Sequence, residues 1–177
     1  MIRLDHELER FVVAHRVGAL DPVFRALSYA GTFGAVWLAI ALVLACSRRS
    51  FVLAAAVVLA DCIASLSASG LQELFRRARP SVPTLVPRPA SYSFPSGHAA
   101  TSFACATVIA ALSPSLRLPA FVLATAIAWS RVYVGVHYPL DVVAGALYGA
   151  GVGLVVLRGL PRLAAVRPRS RRAPRAG

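Results

Sequence analysis

Residues 95–112 read PSGHAATSFACATVIAAL, a short polar turn followed directly by an apolar run without a charged residue. The run from Ala99 to Leu112 is shorter than the roughly 20 residues that a membrane-spanning helix needs. It reaches a spanning length only if the helix extends into the polar turn. This stretch therefore predicts a membrane helix that begins at Pro95-Ser96-Gly97-His98, with those four residues at the membrane edge.

The rest of the chain has the same apolar character. Of its 177 residues, 58% are hydrophobic and 15% are charged, and the mean hydropathy is +0.67; a soluble domain carries about 25% charged residues. Backbone polar groups in lipid must be satisfied within the segment, which favours helices. We therefore expect an all-α integral membrane protein, a helical bundle of about five transmembrane helices. The other four predicted spans are Thr32–Cys46, Phe51–Leu71, Leu118–Trp129 and Leu140–Leu157.

The first residues have the pattern of an amphipathic helix. Apolar side chains recur at helical spacing at Leu4, Leu8 and Phe11, with charged residues mostly between them. Such a helix lies at the membrane interface and does not cross it. The predicted divisions are an N-terminal interfacial segment (residues 1–30), a transmembrane core (residues 31–158) and a basic, disordered cytoplasmic tail (residues 159–177).

The arginines predict the orientation in the membrane. The formal net charge is +12, all 19 basic residues are arginine, and seven of them follow residue 157. A basic surplus can indicate nucleic-acid binding, but one that follows an apolar segment is typical of a cytoplasmic flank on an anionic membrane. Arg48, Arg49 and Arg117 fall on the same predicted side. We therefore expect a multi-pass protein of a bacterial cell membrane without a nucleic-acid partner.

Three polar clusters fall on the opposite, extracytoplasmic side. They are RRARP at residues 76–80, the quoted turn at residues 95–98, and the stretch from Ser130 to Asp141. Each alone has an ordinary structural reading, as a charged helix end, a capped turn or a surface ion pair. Three such clusters, in order and on one side, indicate a functional site.

All three clusters contain groups suited to phosphate. The guanidinium groups of Arg79 and Arg131 match phosphate oxygens in shape and charge. Where Ser96 and Gly97 begin a helix, free backbone N–H groups and the positive end of the helix dipole face an incoming anion. Gly97 also lets the backbone approach phosphate closely, because it has no side chain.

Two histidines and one carboxylate could supply the chemistry. His98 and His137 can divide the roles of nucleophile and acid. Asp141 lies four residues after His137 and falls in the first turn of a helix that Pro139 starts, so it can reach back to one ring nitrogen and fix the tautomer. A His–Asp pair can also be part of a metal site, but such a site needs a third and a fourth ligand. No other His or Cys residue lies near this pair in the sequence. We therefore expect neither a metal nor a cofactor.

These clusters resemble the motifs of the type 2 phosphatidic acid phosphatase superfamily, which shares its core with the vanadium haloperoxidases. Its motifs are Lys-x6-Arg-Pro, Pro-Ser-Gly-His and Ser-Arg-x5-His-x3-Asp. The second is complete at residues 95–98, and the third is complete from Ser130 to Asp141. The resemblance covers residues 61–153.

The resemblance implies a role for each matching residue. His137 would attack phosphorus and become phosphohistidine, and Asp141 would orient it and balance its charge. His98 would protonate the leaving oxygen and then help to activate water. The phosphoryl oxygens would be held by Arg79, Arg131, Ser96 and the Gly97 N–H group.

The first motif departs from the family pattern. Arg79-Pro80 is present, but Gln72 stands where the family has lysine. On a continuous helix, residues 72, 76 and 79 share one stripe. We therefore expect Arg76 to replace the missing cation, and Arg77 to matter less. An alternative is that Arg76 only anchors the end of the helix at the lipid headgroups.

The activity that the resemblance implies is hydrolysis of a phosphomonoester or pyrophosphate on an amphipathic lipid. Polyprenyl pyrophosphate, phosphatidate and phosphatidylglycerophosphate are the candidate substrates. Two alternatives remain open at this point. One is a phosphotransferase with a lipid acceptor, and the other is a non-catalytic lipid-binding protein, for which Gln72 is the only sequence support.

Overall fold

Seven α-helices form the part of the chain that the computed structural model describes, residues 2–48 and 51–165. Short 3-10 turns at Gly18–Leu20, Thr32–Gly34 and Pro114–Leu116 join some of them, and no strand occurs in these residues. The helices are α1 (Ile2–Ala14), α2 (Asp21–Ala30), α3 (Ala35–Arg48), α4 (Phe51–Phe75), α5 (Gly97–Leu112), α6 (Arg117–Tyr133) and α7 (Pro139–Ala165).

Helix α5 lies at the centre of the bundle and packs against α4, α6 and α7. Small residues allow this close packing: a Cβ atom added at Gly145 would lie 2.5 Å from the Ser96 carbonyl oxygen, and one at Gly149 would overlap the Ala100 carbonyl. The glycine stripe of α7 therefore serves contact within the chain. This close contact fixes the N-terminus of α5 beside the first turn of α7.

Within the described residues, two helices are long and apolar enough to cross a membrane, Phe51–Phe75 and Pro139–Leu160. A third crossing is possible if Gly18–Ala30 and Ala35–Ser47, which are bent by 66° relative to each other, act as one broken span. Helix α5 is apolar but has 16 residues. The all-helical membrane bundle is confirmed, whereas the count of about five spans stays a prediction.

Helix α1 turns its acidic side towards the protein. The side chains of Asp5 and Glu9 are buried, while Leu4 and Phe11 are each about 60% exposed. An exposed apolar face suits contact with the lipid boundary. Arg49 and residues 166–177 lie outside the described residues, so the predicted division into three segments and the disorder of the basic tail stay predictions.

Candidate active site

The site lies where three elements meet at one end of the bundle. Helix α4 ends at Phe75, α5 begins at Gly97, and α6 and α7 are joined by residues 134–138. Between them is a cavity of about 260 Å³. Six of the residues singled out in the sequence line it: Gln72, Arg79, Gly97, His98, Arg131 and His137.

His137 is buried between a guanidinium and a carboxylate. Its Nε2 atom lies 3.0 Å from Nη1 of Arg79, and its Nδ1 atom lies 3.5 Å from Oδ2 of Asp141. A guanidinium can only donate, so Nε2 must accept and the proton of the neutral ring is on Nδ1. The unprotonated nitrogen thus faces the arginine side of the cavity, as a nucleophile requires. Nδ1 forms no hydrogen bond in this structure. The expected bond to Asp141 is therefore not formed, although the two groups lie close together.

The charge state of His137 follows from its surroundings. Burial lowers the pKa of His137 well below its usual value of 6.5, and the positive charges of Arg79 and Arg131 lower it further. Because its pKa is lowered, the imidazole stays neutral even in the pH range in which an ordinary histidine gains a proton. The free protein therefore holds His137 in the form that can attack phosphorus.

Asp141 is completely buried and tightly held. Its Oδ2 atom accepts a 3.0 Å hydrogen bond from the Tyr138 backbone N–H group, and its Oδ1 atom accepts one of 2.5 Å from Arg77. Its own carbonyl accepts the Ser96 N–H group at 2.9 Å. Asp141 therefore links the histidine to the turn that starts α5.

Two arginines give the cavity its positive charge. Arg79 donates to the carbonyls of Ser91, Tyr92 and Val136, while Arg131 donates to the Ser28 hydroxyl. Within residues 2–48 and 51–165, neither arginine forms an ion pair with a carboxylate, and Nε of Arg131 is buried without a partner. Burial lowers the pKa of Arg79 to about 10, so this side chain stays charged at neutral pH. The cavity thus holds two positive charges that an anion would balance.

The start of α5 supplies neutral donors. Ser96 precedes the helix, and its hydroxyl is buried without a hydrogen-bond partner. The first-turn N–H groups have no acceptor within their own helix, and a Cβ added at Gly97 would meet only the Gln72 amide, at 3.8 Å. His98 points Nε2 at the Ser28 carbonyl, 3.2 Å away. A carbonyl can only accept, so Nε2 of His98 carries the ring proton in this structure.

The structure separates Gln72 from Arg76. Gln72 is buried, lines the cavity and donates a 2.9 Å hydrogen bond to the Pro95 carbonyl, which holds the turn before α5. Arg76 follows the last residue of α4, has a φ of +48°, and donates to the carbonyl of Glu73 in the last turn of α4. Residues 72, 76 and 79 therefore do not share a stripe. The expectation that Arg76 replaces the missing lysine is wrong in its geometry, because the helix ends one residue too early.

Several residues at the site were missed in the sequence. Arg77, ranked below Arg76, contacts Asp141. Ser65 and Ser69 of α4 line the cavity, as do Thr32 in the turn before α3 and Thr101 in α5. The spacing of the serines could have indicated this, because steps of four and three residues place Ser65, Ser69 and Gln72 on one face of a helix. No comparable signal marks Arg77.

Fold and site together define a class: helical membrane proteins with a positively charged, histidine-containing cavity at one end of the bundle. A family model described as the PAP2 superfamily matches residues 49–164. The chain belongs to the PAP2 superfamily, and the predicted resemblance is confirmed.

Two curated relatives show how similar the chain is to characterised members. It is 39% identical over 140 residues to decaprenylphosphoryl-5-phosphoribose phosphatase of Mycobacterium tuberculosis, covering 75% of this chain and 76% of that protein. It is 30% identical over 155 residues to undecaprenyl-diphosphatase of Sulfolobus acidocaldarius, covering 84% and 75%.

Two solved structures share the fold. LpxE of Aquifex aeolicus matches with a TM-score of 0.72 at 31% identity, over 86% of this chain and 93% of that one. The PAP2-type phosphatidylglycerolphosphate phosphatase of Bacillus subtilis matches with a TM-score of 0.77 at 24% identity, over 93% and 88%. The second likeness concerns the fold alone.

Proposed function

We propose that this protein hydrolyses a phosphate carried by a polyprenyl lipid, through a phosphohistidine formed on His137. The broader activity follows from the family: the curated relatives are named as lipid phosphatases, and the predicted class, a lipid phosphate phosphatase, is confirmed. The observation that carries the finer proposal is the unprotonated Nε2 atom of His137, facing Arg79 in a cavity with two unbalanced positive charges.

The reaction runs in two balanced steps. Nε2 of His137 attacks phosphorus, so a P–N bond forms as the P–O bond to the lipid breaks, and His98 gives its proton to the leaving oxygen. Water then attacks the phosphohistidine, His98 takes a proton from it, and the P–N bond breaks to release inorganic phosphate. Asp141 stabilises the charge on the His137 ring in both steps. Arg79, Arg131, Ser96 and the Gly97 N–H group hold the phosphoryl oxygens as charge shifts during transfer.

Support for a polyprenyl substrate comes from the relatives and the cavity. Both curated relatives described above are named for polyprenyl substrates. The cavity is lined by both arginines and also by the hydroxyl-bearing residues Thr32, Ser65 and Ser69. The arginines suit a phosphate, and the hydroxyl groups suit a hydroxylated headgroup between phosphate and lipid. Phosphatidate and phosphatidylglycerophosphate remain comparison substrates.

We expect purified protein in detergent to release inorganic phosphate from polyprenyl phosphates in the presence of EDTA, and orthovanadate to block that release. The described residues contain no group of three or more His, Cys, Asp or Glu side chains placed to hold a metal ion, and vanadate adopts the five-coordinate geometry of phosphorus during transfer. Loss of activity in EDTA that Mg²⁺ restores would contradict the mechanism. A phosphorylated lipid product in place of free phosphate would identify a phosphotransferase.

We further propose that the site opens on the extracytoplasmic face of a bacterial membrane, with about five helical passes formed by α3 to α7. Arg48 and Arg117 lie at the opposite end of the bundle, where α3 ends and α6 begins. The positive-inside rule makes that end cytoplasmic.

Cysteine labelling tests this orientation. In a variant without Cys46, Cys62 and Cys105, we expect Ser81→Cys to react with an impermeant maleimide in spheroplasts. Ser115→Cys should react only after permeabilisation. Both serines are exposed and lie at opposite ends of the bundle, so each is the control for the other. The reverse labelling pattern would overturn the proposed orientation.

A further inference from the structure

Arg77 connects two buried carboxylates that are far apart in the sequence. Its Nη1 atom donates to Oδ1 of Asp141 at 2.5 Å, and its Nη2 atom donates to Oδ2 of Asp5 at 2.6 Å. The guanidinium also lies 4.2 Å from the centre of the Tyr138 ring. The side chain is 19% exposed, against 0% for Asp141 and 6% for Asp5. This is a largely dehydrated cluster, in which a lost partner leaves an uncompensated charge.

Asp5 fastens the cluster to the start of α7. Its second carboxylate oxygen accepts a 2.8 Å hydrogen bond from the Leu140 N–H group. That group belongs to the first turn of α7, where free N–H groups attract anions. Helix α1 therefore holds both Arg77 and the helix that carries Asp141.

We propose that Arg77, held in place by Asp5, is a positioning residue that orients the Asp141–His137 pair. With Oδ1 of Asp141 bound to Arg77 and Oδ2 bound to the Tyr138 N–H group, the carboxylate cannot rotate, and Oδ2 stays 3.5 Å from Nδ1 of His137. Arg77 does not line the cavity, so it acts on the reaction through Asp141. The inference rests on the proposed role of His137.

The cluster extends the site beyond the segment that the family model matches. The family match begins at residue 49, whereas Asp5 lies in the N-terminal helix. That helix exposes Leu4, Leu8 and Phe11 and buries Asp5 and Glu9. Through Asp5, helix α1 thus helps to hold Asp141 and His137 in place, in addition to any contact it makes with lipid.

Four variants test the proposal. Arg77→Gln should lower kcat by about 100-fold, the scale of a small misplacement of a reacting group, while KM for the lipid phosphate stays unchanged because Arg79 and Arg131 still bind it. Arg77→Lys should recover part of the loss, since lysine keeps the charge but lacks the fork that reaches two carboxylates. Asp5→Asn keeps an oxygen for Leu140 but removes the charge that holds Arg77, and should lower kcat by a smaller factor. Arg76→Gln is the matched control, an exposed neighbour bonded only to the last turn of α4, and should change nothing.

A double variant adds a check on the connection. Because Asp5 acts through Arg77, Asp5→Asn combined with Arg77→Gln should be no slower than Arg77→Gln alone. If the two losses of kcat multiply independently in the double variant, the proposal is overturned. It is also overturned if Arg77→Gln changes only KM, or if Arg76→Gln and Arg77→Gln lower kcat equally. If Arg77→Gln does not fold, wild-type kcat in both Asp5→Asn and Arg77→Lys would equally overturn it. An inactive wild-type protein would instead refute the proposed function.

Discussion

Replacing His137 with alanine is expected to lower kcat/KM by about 10⁴-fold or more, the scale seen when a nucleophile is removed. The reason is that the proposed P–N bond forms on Nε2 of His137, the unprotonated nitrogen that faces Arg79 in the cavity. The two arginines remain in the variant and still bind phosphate, so the affinity for substrate should survive. The measurement is phosphate release from a polyprenyl phosphate by purified protein, with substrate binding measured separately.

The matched control for this variant is His15→Ala. His15 is exposed and contacts the carbonyl of Phe11 in α1, the helix that it follows, so its removal should leave turnover unchanged. A His137→Ala protein that binds substrate and turns over within tenfold of wild type would show that another group attacks phosphorus.

Replacing His98 with alanine should give a different defect, one that depends on the leaving group. With a lipid alkoxide, which needs a proton to leave, we expect kcat to fall by about 10²- to 10⁴-fold, the usual contribution of a general acid. With an activated aryl phosphate, whose leaving group needs no proton, the first step should stay close to its normal rate. The second step still lacks the base that activates water. Rapid quenching should therefore show a burst of aryl alcohol close to one equivalent, followed by slow turnover.

The double variant His98→Ala/His137→Ala is the control for this burst, because it lacks the acceptor and should show none. An equal loss of rate for both leaving groups, without a burst, would remove His98 from the proton transfers and leave it a structural role.

The residues around the cavity illustrate how far the sequence leads. The order of the three clusters, and their common end of the bundle, follow from the alternation of apolar spans and polar turns. The glycines of α7 recur every fourth residue, and two of them, Gly145 and Gly149, pack against the backbone at the start of α5. Periodicity alone supplies these results, since it decides which residues share an end or a face. The roles of His98, His137 and Asp141 remain predictions until they are tested.

Other features depend on where helices stop, which the apolar pattern does not encode. Helix α4 ends at Phe75 and the chain turns through a positive φ at Arg76. That single turn directs Arg76 away from the cavity and Arg77 towards Asp141. Likewise, the break at Thr32–Gly34 lies between α2 and α3, which are bent by 66° relative to each other, and the apolar pattern alone does not encode this bend.

The contribution of α1 was equally hard to foresee. An acidic residue in an amphipathic helix ordinarily faces water. Here Asp5 faces inward because Arg77 and the Leu140 N–H group compensate its charge. Those partners are about 70 and 135 residues away in the chain, so only the folded structure brings them together.

The most direct test of the central claim is to locate the phosphoryl group itself. His98→Ala protein should be mixed with an activated aryl phosphate, quenched in alkali, digested and mapped by mass spectrometry. The account predicts one phosphoryl group, stable to alkali and labile to acid, on His137. Phosphate found on another residue, or a burst of aryl alcohol without any phosphorylated histidine, would contradict it.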